Sequence, residues 1–498
     1  MTSGSQPKLV LPFMGAGSKS LKTLTLQGVA WTLAGDGGNQ ILRLISNLIL
    51  SRLLAPETFG IMVVVTVVQQ GLIMFSDVGI HPAIVQHSRG DDPVFLNTAW
   101  TTQVLRGFML WLSTLALAWP VAQYCRETTL LHLLPIVGLN SIIDGFLSTK
   151  IITCDRHLSL GRLTVLNLGT GALGLVVRIA WAWKYPTVWA LVLGGFAGGL
   201  PRMILSHFIF PGPTNRFSWD RDSLHELIKF GRWVFLSTLL TFISLKLDQI
   251  VFVRMIPLAM LGIYNHGSSF CRVPVETVQK IGGAVAFPAL CRVRERNGNL
   301  ESAYQRLRVP LLVAGGALLA FLTLAAPTLV QILYPARYWD VGWIMQLISM
   351  SLWFQVIQST NQTAILALGF PKLLALGNLV KIVAIVVALP VGFHWWGFPG
   401  ALIAMAVVEV PKYLFEAVQV RRQGLTGWGV ELGLTAVVLL CAATALGLHF
   451  WTLAGPAAWI KLGLAALLWT LLWVPLALWA RRVTTIVPTP EPAPSALS

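Results

Sequence analysis

Apolar segments of about 20 residues recur along this chain, and only short loops separate them. A helix of that length crosses the roughly 30 Å hydrocarbon core of a bilayer. Of the 498 residues, 55% are hydrophobic and 11% are charged, so the chain has too few charges to cover a water-exposed surface. The sequence therefore predicts an all-α polytopic membrane protein.

The segments predict about fourteen transmembrane helices. They lie near residues 26–51, 59–85, 97–121, 129–150, 160–183, 187–210, 228–253, 258–290, 307–333, 339–368, 371–391, 397–419, 428–450 and 457–480. The two largest connections between them lie near 211–227 and 291–306. Loops of this size hold no separate soluble catalytic domain.

Lys and Arg residues are divided unequally between alternate loops. If the N-terminus lies in the cytoplasm, the cytoplasmic side holds about twenty, including Arg156 and Arg308, and the other side about six. This asymmetry follows the positive-inside rule for an even number of spans. It predicts that both termini are cytoplasmic. We see no removable signal peptide.

Two stretches of the chain resemble two others further along. "LILSRLLAPETFGIM" (48–62) resembles "IVFVRMIPLAMLGIY" (250–264), and "GLPRMIL" (199–205) resembles "EVPKYLF" (409–415). The matched residues are Arg52 and Arg254, Gly60 and Gly262, Pro201 and Pro411, and Arg202 and Lys412. Spans 1–6 and 7–12 are therefore predicted to be parallel copies of one six-helix unit.

This repeat divides the chain into six segments. They are a cytoplasmic N-terminal segment (1–23), an N-lobe of spans 1–6 (24–210), a cytoplasmic linker (211–227), a C-lobe of spans 7–12 (228–422), spans 13 and 14 (423–482) and a disordered cytoplasmic tail (483–498). The tail is assigned from its Pro-rich composition, "VPTPEPAPSALS".

Polar residues form stripes on several spans. Four of them in span 1 fall within an arc of about 60°: Asp36, Gln40, Arg43 and Asn47. A charge at mid-bilayer costs about 2.5–3.5 kcal/mol, so this face must meet protein or a water-filled cavity. Stripes on other spans include Asp77, Asp144, Asp248, Arg272, Glu276, Lys280, Gln355, Gln362, Glu409, Lys412 and Glu416. Together they predict a hydrated cavity between two helical bundles.

Cations outnumber carboxylates in the spans, which favours an anionic substrate such as a pyrophosphate head group. The residues assigned to substrate binding are Arg43, Gln40, Asn47, Arg272, Lys280, Gln355 and Gln362. The carboxylates assigned to a coupling ion or to structural ion pairs are Asp36, Asp77, Asp144, Asp248 and Glu276. An ion pair that neutralises Arg272 with Glu276 remains an alternative.

Sequence patterns for several other chemistries are missing. The chain has no GxxxxGK[ST] phosphate loop, no HExxH and no cysteine pair with metal-ligand spacing. The net charge of +16 is not gathered into a nucleic-acid-binding domain. We therefore predict no catalytic residue, metal, cofactor or nucleic-acid partner, and a protein that is not an enzyme.

Four stretches are similar to the Wzx-type polysaccharide-transport flippases of the multidrug/oligosaccharidyl-lipid/polysaccharide (MOP) exporter superfamily. They are "LSRLLAPETFGIMVVV", "FSDVGIHPAIVQ" (75–86), "LDQIVFVRMIPLAMLGIY" and "VPVETVQKIGGAVAFPALCRVR" (273–294). The resemblance implies two six-helix lobes in a V, a cationic cavity, alternating access and a place in the bacterial inner membrane. Arg43, Arg272 and Lys280 are the best positional matches to the cavity cations of that family.

The resemblance also implies a substrate and partners. The substrate would be an undecaprenyl-pyrophosphate-linked oligosaccharide repeat, flipped from the inner to the outer leaflet for exopolysaccharide (xanthan-like), capsule or O-antigen assembly. The protein would work in membrane lipid as a monomer, and a partner polymerase or co-polymerase is left open. Spans 13 and 14 resemble the extra pair of lipid II flippases, which helps to form a groove for the prenyl tail.

Two alternatives remain at this point. A multidrug cation exporter of the same superfamily would need an acidic, aromatic cavity. A membrane-embedded glycosyltransferase or polymerase would need catalytic acids and long outer loops. The chain shows neither pattern.

Overall fold

The computed structural model describes residues 21–76, 79–86, 89–157, 160–425, 428–451 and 458–486. Within these ranges the chain is helical apart from short connections, and no strand is present. The all-α prediction is therefore confirmed. Most of the predicted terminal segments, 1–23 and 483–498, lies outside the described residues.

Eight helices make up the N-lobe. They are α1 (Leu21–Leu53), α2 (Pro56–Phe75), α3 (Ile80–Gln86), α4 (Pro93–Cys125), α5 (Leu130–Gly145), α6 (Lys150–Arg156), α7 (Leu160–Lys184) and α8 (Trp189–Phe208). The span predicted over 59–85 is interrupted after Phe75, and Gly79, with a φ of 65°, precedes α3. The span predicted over 129–150 ends at α5, because α6 bends away by 61°.

Eight further helices make up the C-lobe and the appended pair. They are α9 (Arg221–Met255), α10 (Leu258–Ile281), α11 (Phe287–Glu295), α12 (Leu300–Leu333), α13 (Asp340–Ala367), α14 (Pro371–Arg422), α15 (Trp428–Trp451) and α16 (Ala458–Ile486). A π-helical turn, Gly282–Ala286, joins α10 to α11 within the span predicted over 258–290.

The predicted linker, 211–227, is irregular over 211–220 and helical from Arg221 onward. Residues 211–220 are fixed to α4 by three backbone amides that donate to side chains. The bonds are Arg216 N to Asn97 Oδ1 (3.0 Å), Ser218 N to Thr101 Oγ1 (3.0 Å) and Asp220 N to Thr98 Oγ1 (3.2 Å). They satisfy donors that an irregular segment leaves without partners.

Helix α14 consists of two antiparallel arms, residues 371–395 and 398–422. The chain reverses at Gly397, whose φ of 61° lies in the region that favours glycine. Beyond the turn the arms approach closely, since a Cβ on Gly392 would lie 2.5 Å from the carbonyl oxygen of Gly400. The arms correspond to predicted spans 11 and 12.

Nine helices in the described ranges are long and apolar enough to cross a membrane, or up to ten if α5 and α6 form one bent span. This count rests on length and composition, and it takes both arms of α14 as one helix. The prediction of a multi-pass membrane protein is confirmed. The number of fourteen spans stays a prediction.

The two lobes pack against each other along α2 and α10. The first turns of both helices lie at the end of the bundle that also holds the connections at 126–129 and 334–339. We call this the first end. The second end holds the connections at 89–92, 211–220 and 296–299.

Gly60 and Gly262, which the repeat matches, allow α2 and α10 to approach. A Cβ on Gly60 would lie 1.8 Å from the carbonyl oxygen of Leu258, and one on Gly262 would lie 2.1 Å from that of Pro56. A side chain at either position would push the helices apart. The two copies of the repeated motif therefore touch each other reciprocally at the first end.

Two arginines that the repeat matches, Arg52 and Arg254, each form a hydrogen bond with the opposite lobe. Arg52 of the N-lobe donates to the carbonyl of Leu333 at the end of α12 (3.5 Å), and Arg254 of the C-lobe donates to that of Tyr124 near the end of α4 (3.1 Å). A cation is favourable at a helix C-terminus. Because α4 and α12 contain the third predicted span of each lobe, the two contacts are equivalent under the repeat.

Candidate functional site

The polar stripe of α1 faces away from α7. On the α7 side, a Cβ at Gly38 would lie 2.7 Å from the Leu168 side chain. The stripe side carries Arg43, which is exposed, and Gln40 and Asn47, which are half-buried. None of these three side chains has a hydrogen bond or ion pair within the described part of the chain. Their donors are therefore available to a ligand.

Asp36, on the same stripe, joins the lobes. Its Oδ2 lies 2.7 Å from Nζ of Lys280 on α10, and the side chains are 39% and 53% exposed. An exposed ion pair contributes only about 0–1 kcal/mol, so this bridge opens at small cost. The sequence analysis assigned Lys280 to substrate binding and Asp36 to a coupling ion or a structural ion pair, and the structure pairs the two.

Arg43 and Arg272 lie at matching depth on α1 and α10. The two helices run in opposite directions and meet at the Asp36–Lys280 pair. Arg43 is seven residues and Arg272 eight residues from that pair toward the first end, which is about 11–12 Å of helix for each. One guanidinium from each lobe therefore lies beyond the bridge. Arg272 makes no ion pair with Glu276 within the described ranges, and Glu276 is exposed.

Lys246 on α9 adds a further cation, which the sequence analysis did not assign to substrate binding. It is half-buried, and it lies close enough to Arg272 for the two charges to act on each other. Among the residues that the structure describes, its Nζ donates to Gln249 Oε1 alone, at 3.4 Å. A lysine inside an apolar span was the signal that could have identified it.

The carboxylates assigned to a coupling ion or to ion pairs lie in different places. Asp248 is buried in the C-lobe, where it accepts a 2.5 Å hydrogen bond from Tyr264 Oη. Asp144 lines a separate N-lobe cavity of about 210 Å³ together with His81 and Arg106. Asp77 lies outside the described residues.

Gln355 and Gln362 of α13 bond inside the C-lobe. The amide of Gln355 donates to Glu409 Oε1 (2.7 Å), and that of Gln362 donates to Glu416 Oε1 (3.1 Å). The sequence assigned both amides to the substrate cavity. The structure instead gives them carboxylate partners on the second arm of α14.

Those carboxylates belong to a buried group of charges that we call the C-lobe ion cluster: Lys381, Glu409, Lys412 and Glu416. Their side chains are at most 8% exposed. Lys381 Nζ lies 2.5 Å from Glu409 Oε1, and Lys412 Nζ lies 3.8 Å from Glu416 Oε1. Two ammonium groups balance the two carboxylates in number, but only Glu409 has one in direct contact.

A second buried ion pair attaches α15 to the C-lobe. Arg308 of α12 pairs with Glu431 of α15, and Tyr413 also donates to that carboxylate. The Nε of Arg308 donates to Thr360 Oγ1 at 3.0 Å. The sequence counted Arg308 as a loop cation, whereas the structure places it 3% exposed in the interior.

The fold and the site together define a class of protein: a two-lobed, multi-pass membrane transporter. The Asp36–Lys280 pair joins α1 to α10 between its lobes, and the lobes are packed at the first end.

Comparison with known proteins assigns the family. Residues 49–342, more than half of the chain, match the family model described as "Polysaccharide biosynthesis protein". The chain belongs to this polysaccharide biosynthesis family. The predicted polysaccharide family is thereby confirmed.

Individual relatives are distant in sequence. An "Uncharacterized membrane protein in cps region" of Klebsiella pneumoniae is 21% identical over 406 residues, which cover 80% of this chain and 83% of that protein. The succinoglycan biosynthesis transport protein ExoT of Rhizobium meliloti (strain 1021) is 22% identical over 334 residues, 66% of each protein.

The solved structure of lipid II flippase MurJ, in an inward closed conformation, has the same fold. It matches with a TM-score of 0.72 at 12% identity, over 91% of this chain and 99% of that one. The prediction of the MOP superfamily fold is confirmed.

Proposed function

We propose that this protein flips an undecaprenyl-pyrophosphate-linked oligosaccharide repeat unit from the cytoplasmic to the periplasmic leaflet of the bacterial inner membrane. The observation that carries the proposal is the position of Arg43 and Arg272, one on each lobe at matching depth and both without an ion partner in the described ranges. A guanidinium binds phosphate oxygens in a bidentate manner. Lys246 adds positive charge beside Arg272.

The orientation follows from charge. The second-end connections hold most of the loop cations, so the second end lies in the cytoplasm and the first end in the periplasm. Access from the cytoplasm then requires the exposed Asp36–Lys280 bridge to part. Access to the periplasm requires the Gly60–Gly262 packing and the two arginine contacts to break.

In the transport cycle, the contacts toward the second end and those at the first end open in turn. The head group enters from the cytoplasm while its prenyl tail stays in lipid, and Arg43 and Arg272 bind the pyrophosphate. The lobes then rock, so that the first end opens and the second end closes. A single chain supplies both lobes, which supports a monomer.

The names of related proteins support the substrate class. ExoT is named as a transport protein of succinoglycan biosynthesis, and MurJ as a lipid II flippase. The finer assignment to an undecaprenyl carrier and an exopolysaccharide, capsule or O-antigen repeat comes from the resemblance and the cationic faces. A docking polymerase would act after the flipping step.

The test uses the full chain in liposomes that carry a purified prenyl-pyrophosphate oligosaccharide. We measure the fraction of sugar that a membrane-impermeant reagent reaches over time. Arg43→Ala and Arg272→Ala should each slow transfer by about 10- to 100-fold, because each removes charge-assisted hydrogen bonds worth about 1.5–3 kcal/mol. Arg43→Lys should retain part of the rate, since it keeps the charge but not the bidentate geometry.

Lys372→Ala is the matched control, because Lys372 is an exposed cation at the second end, outside the site. It should transport like the unmodified protein. Full activity in Arg43→Ala would refute the pyrophosphate assignment. A deletion strain that accumulates repeat units shortened by one sugar would refute flipping and indicate an assembly enzyme.

A further inference from the structure

The two carboxylates of the C-lobe ion cluster, Glu409 and Glu416, differ in the hydrogen-bond donors and ammonium groups that contact them. Glu409 Oε1 accepts from Lys381 (2.5 Å) and Gln355 (2.7 Å), and its Oε2 accepts from Gln358 (3.1 Å). Glu409 therefore has donors at both oxygens and an ammonium group in direct contact. It is a well-compensated buried anion.

Glu416 lacks that compensation. Its side chain is 0% exposed, and within the described ranges its Oε2 is buried without a hydrogen-bond partner. Its Oε1 accepts from Gln362, but the nearest ammonium group, Lys412 Nζ, is 3.8 Å away and donates to Asn378 at 2.9 Å instead. A proton on Oε2 would neutralise a buried charge that its surroundings compensate poorly.

The fold itself does not require this charge. Lys412 and Asn378 repeat a contact of the N-lobe, where Arg202 Nε donates to Asn167 Oδ1 at 3.0 Å. Arg202 and Lys412 are 210 residues apart, and the residue 210 before Glu416 is Ser206. The N-lobe builds the same framework with a neutral residue, so the charge at this position belongs to the C-lobe alone.

Groups from several helices surround Glu416. On α14 they are Lys381, Glu409 and Lys412, and on α13 they are Gln358 and Gln362. On α12, Tyr304 is near enough to interact with Glu416 electrostatically, and its hydroxyl donates to Asn361. Beyond Tyr304 lies the Arg308–Glu431 pair with Tyr413. With both lysines charged, protonation of Glu416 changes the net charge of the cluster from zero to +1.

We propose that Glu416 is the carboxyl that binds and releases a proton in each transport cycle, with the proton carried on Oε2. This inference rests on the proposed function. The bond that forms and breaks is the Oε2–H bond: Oε2 takes the proton from water that enters while the first end is open, and returns it to cytoplasmic water while the second end is open. Glu416 lies six residues from the end of α14, about 9 Å of helix from the second end, where water enters when the lobes separate.

Protonation of Glu416 is coupled to the arrangement of the lobes if water reaches this carboxyl in one arrangement and not in another. Where α13 and α14 exclude water, the charged form of Glu416 is less stable relative to the neutral form than it is in contact with water. A proton gradient therefore shifts the balance between the lobe arrangements. An inward proton gradient should drive the lipid-linked substrate outward.

The experiment adds a pH gradient to the liposome assay. For one proton per cycle, one pH unit should raise the final ratio of substrate between the leaflets by about tenfold. Glu416→Gln should still transfer substrate but show no response to the gradient, whereas Glu416→Asp should keep a response. Gln362→Ala serves as a matched control, because it disturbs the same contact without removing the carboxyl.

Several outcomes would overturn the assignment. They are a full gradient response in Glu416→Gln, no response in the unmodified protein, or a response to sodium that Glu416→Gln abolishes. If the unmodified protein moves no lipid-linked oligosaccharide, the proposed function fails instead.

Labelling of the unmodified protein with dicyclohexylcarbodiimide gives a test that needs neither transport nor a folded variant. This reagent modifies protonated buried carboxyls, so Glu416 should be labelled, less so as the pH rises, and Glu409 should not. Labelling of Glu409 alone, or of neither residue at any pH, would contradict the proposal.

Discussion

The two lobes share a framework but not a charge pattern. In each lobe a basic residue that follows a proline donates to an asparagine of the preceding span: Arg202 to Asn167 at 3.0 Å, and Lys412 to Asn378 at 2.9 Å. The C-lobe adds three buried charges, Lys381, Glu409 and Glu416. At the offset of 210 residues that matches Arg202 with Lys412, the N-lobe has Gly199 and Ser206 in place of the two glutamates; at the offset of 211 that matches Asn167 with Asn378, it has Thr170 in place of Lys381.

This difference separates the demands of folding from those of function. Contacts that occur in both lobes, such as the basic–asparagine pair, hold a six-helix unit together wherever it occurs. Buried charges that occur in one lobe cost desolvation energy that the other lobe avoids. Selection for transport is the simplest reason to keep them.

The largest effect is expected from the charges that only the C-lobe carries. Lys381→Met should lower the free energy of unfolding by about 3–5 kcal/mol, because it leaves Glu409 buried without its ammonium partner. Thermal unfolding in detergent measures this loss. Lys381→Met combined with Glu409→Gln should recover most of it.

The N-lobe supplies the control for that comparison. In Gly199→Ala, at the position that matches Glu409, the new Cβ would meet Asn140 and Ile143 at an ordinary 3.7 Å, so we expect a change below about 1 kcal/mol. A large loss in Gly199→Ala, or none in Lys381→Met, would break the contrast between the lobes.

A smaller but symmetric effect is expected at the first end. Gly60→Ala and Gly262→Ala should each cost about 1–3 kcal/mol, since each methyl group meets the backbone of the opposite lobe. Because that contact closes the first end, both variants should also increase the reactivity of an introduced cysteine there. Gly37→Ala is the control, with nothing within 4 Å of the new Cβ. Unequal losses in the two variants would show that the repeat is not energetically symmetric.

The smallest effect is expected from Arg52 and Arg254, each of which donates to a carbonyl of the opposite lobe. Arg254→Gln and Arg52→Gln each remove an exposed contact to a helix C-terminus, which contributes about 0.3–1 kcal/mol. Arg254→Gln should have the larger effect, because its contact is shorter, 3.1 Å against 3.5 Å. The fraction of molecules with an accessible first end, measured by cysteine labelling, should rise additively in the double variant. Strong non-additivity would mean that the two contacts do not act independently.

Features with a local cause could be predicted from the sequence. Apolar length predicted the helices, and helical periodicity predicted that Asp36 and Arg43 share a face. The repeat matched Gly60 with Gly262, and these two glycines lie in reciprocal contact. Each of these inferences depends on spacing within one or two segments.

Features that depend on which helices meet could not be predicted in this way. Gln355 and Gln362 share a face of α13, but only the packing of α14 reveals that this face meets Glu409 and Glu416. Arg308 is near the start of α12, and its interior position follows from α15 lying beside it with Glu431. Periodicity assigns a face to a helix but does not identify the neighbour of that face.

The hydrogen-bonded connection between the lobes constrains how they can move. Residues 211–220 are fastened to α4 as far as Asp220, and α9 begins at the next residue. A connection attached in this way cannot act as a flexible linker between the lobes. Any rotation of the C-lobe against the N-lobe would therefore need its hinge at the start of α9 or within it, rather than in the connection that precedes it.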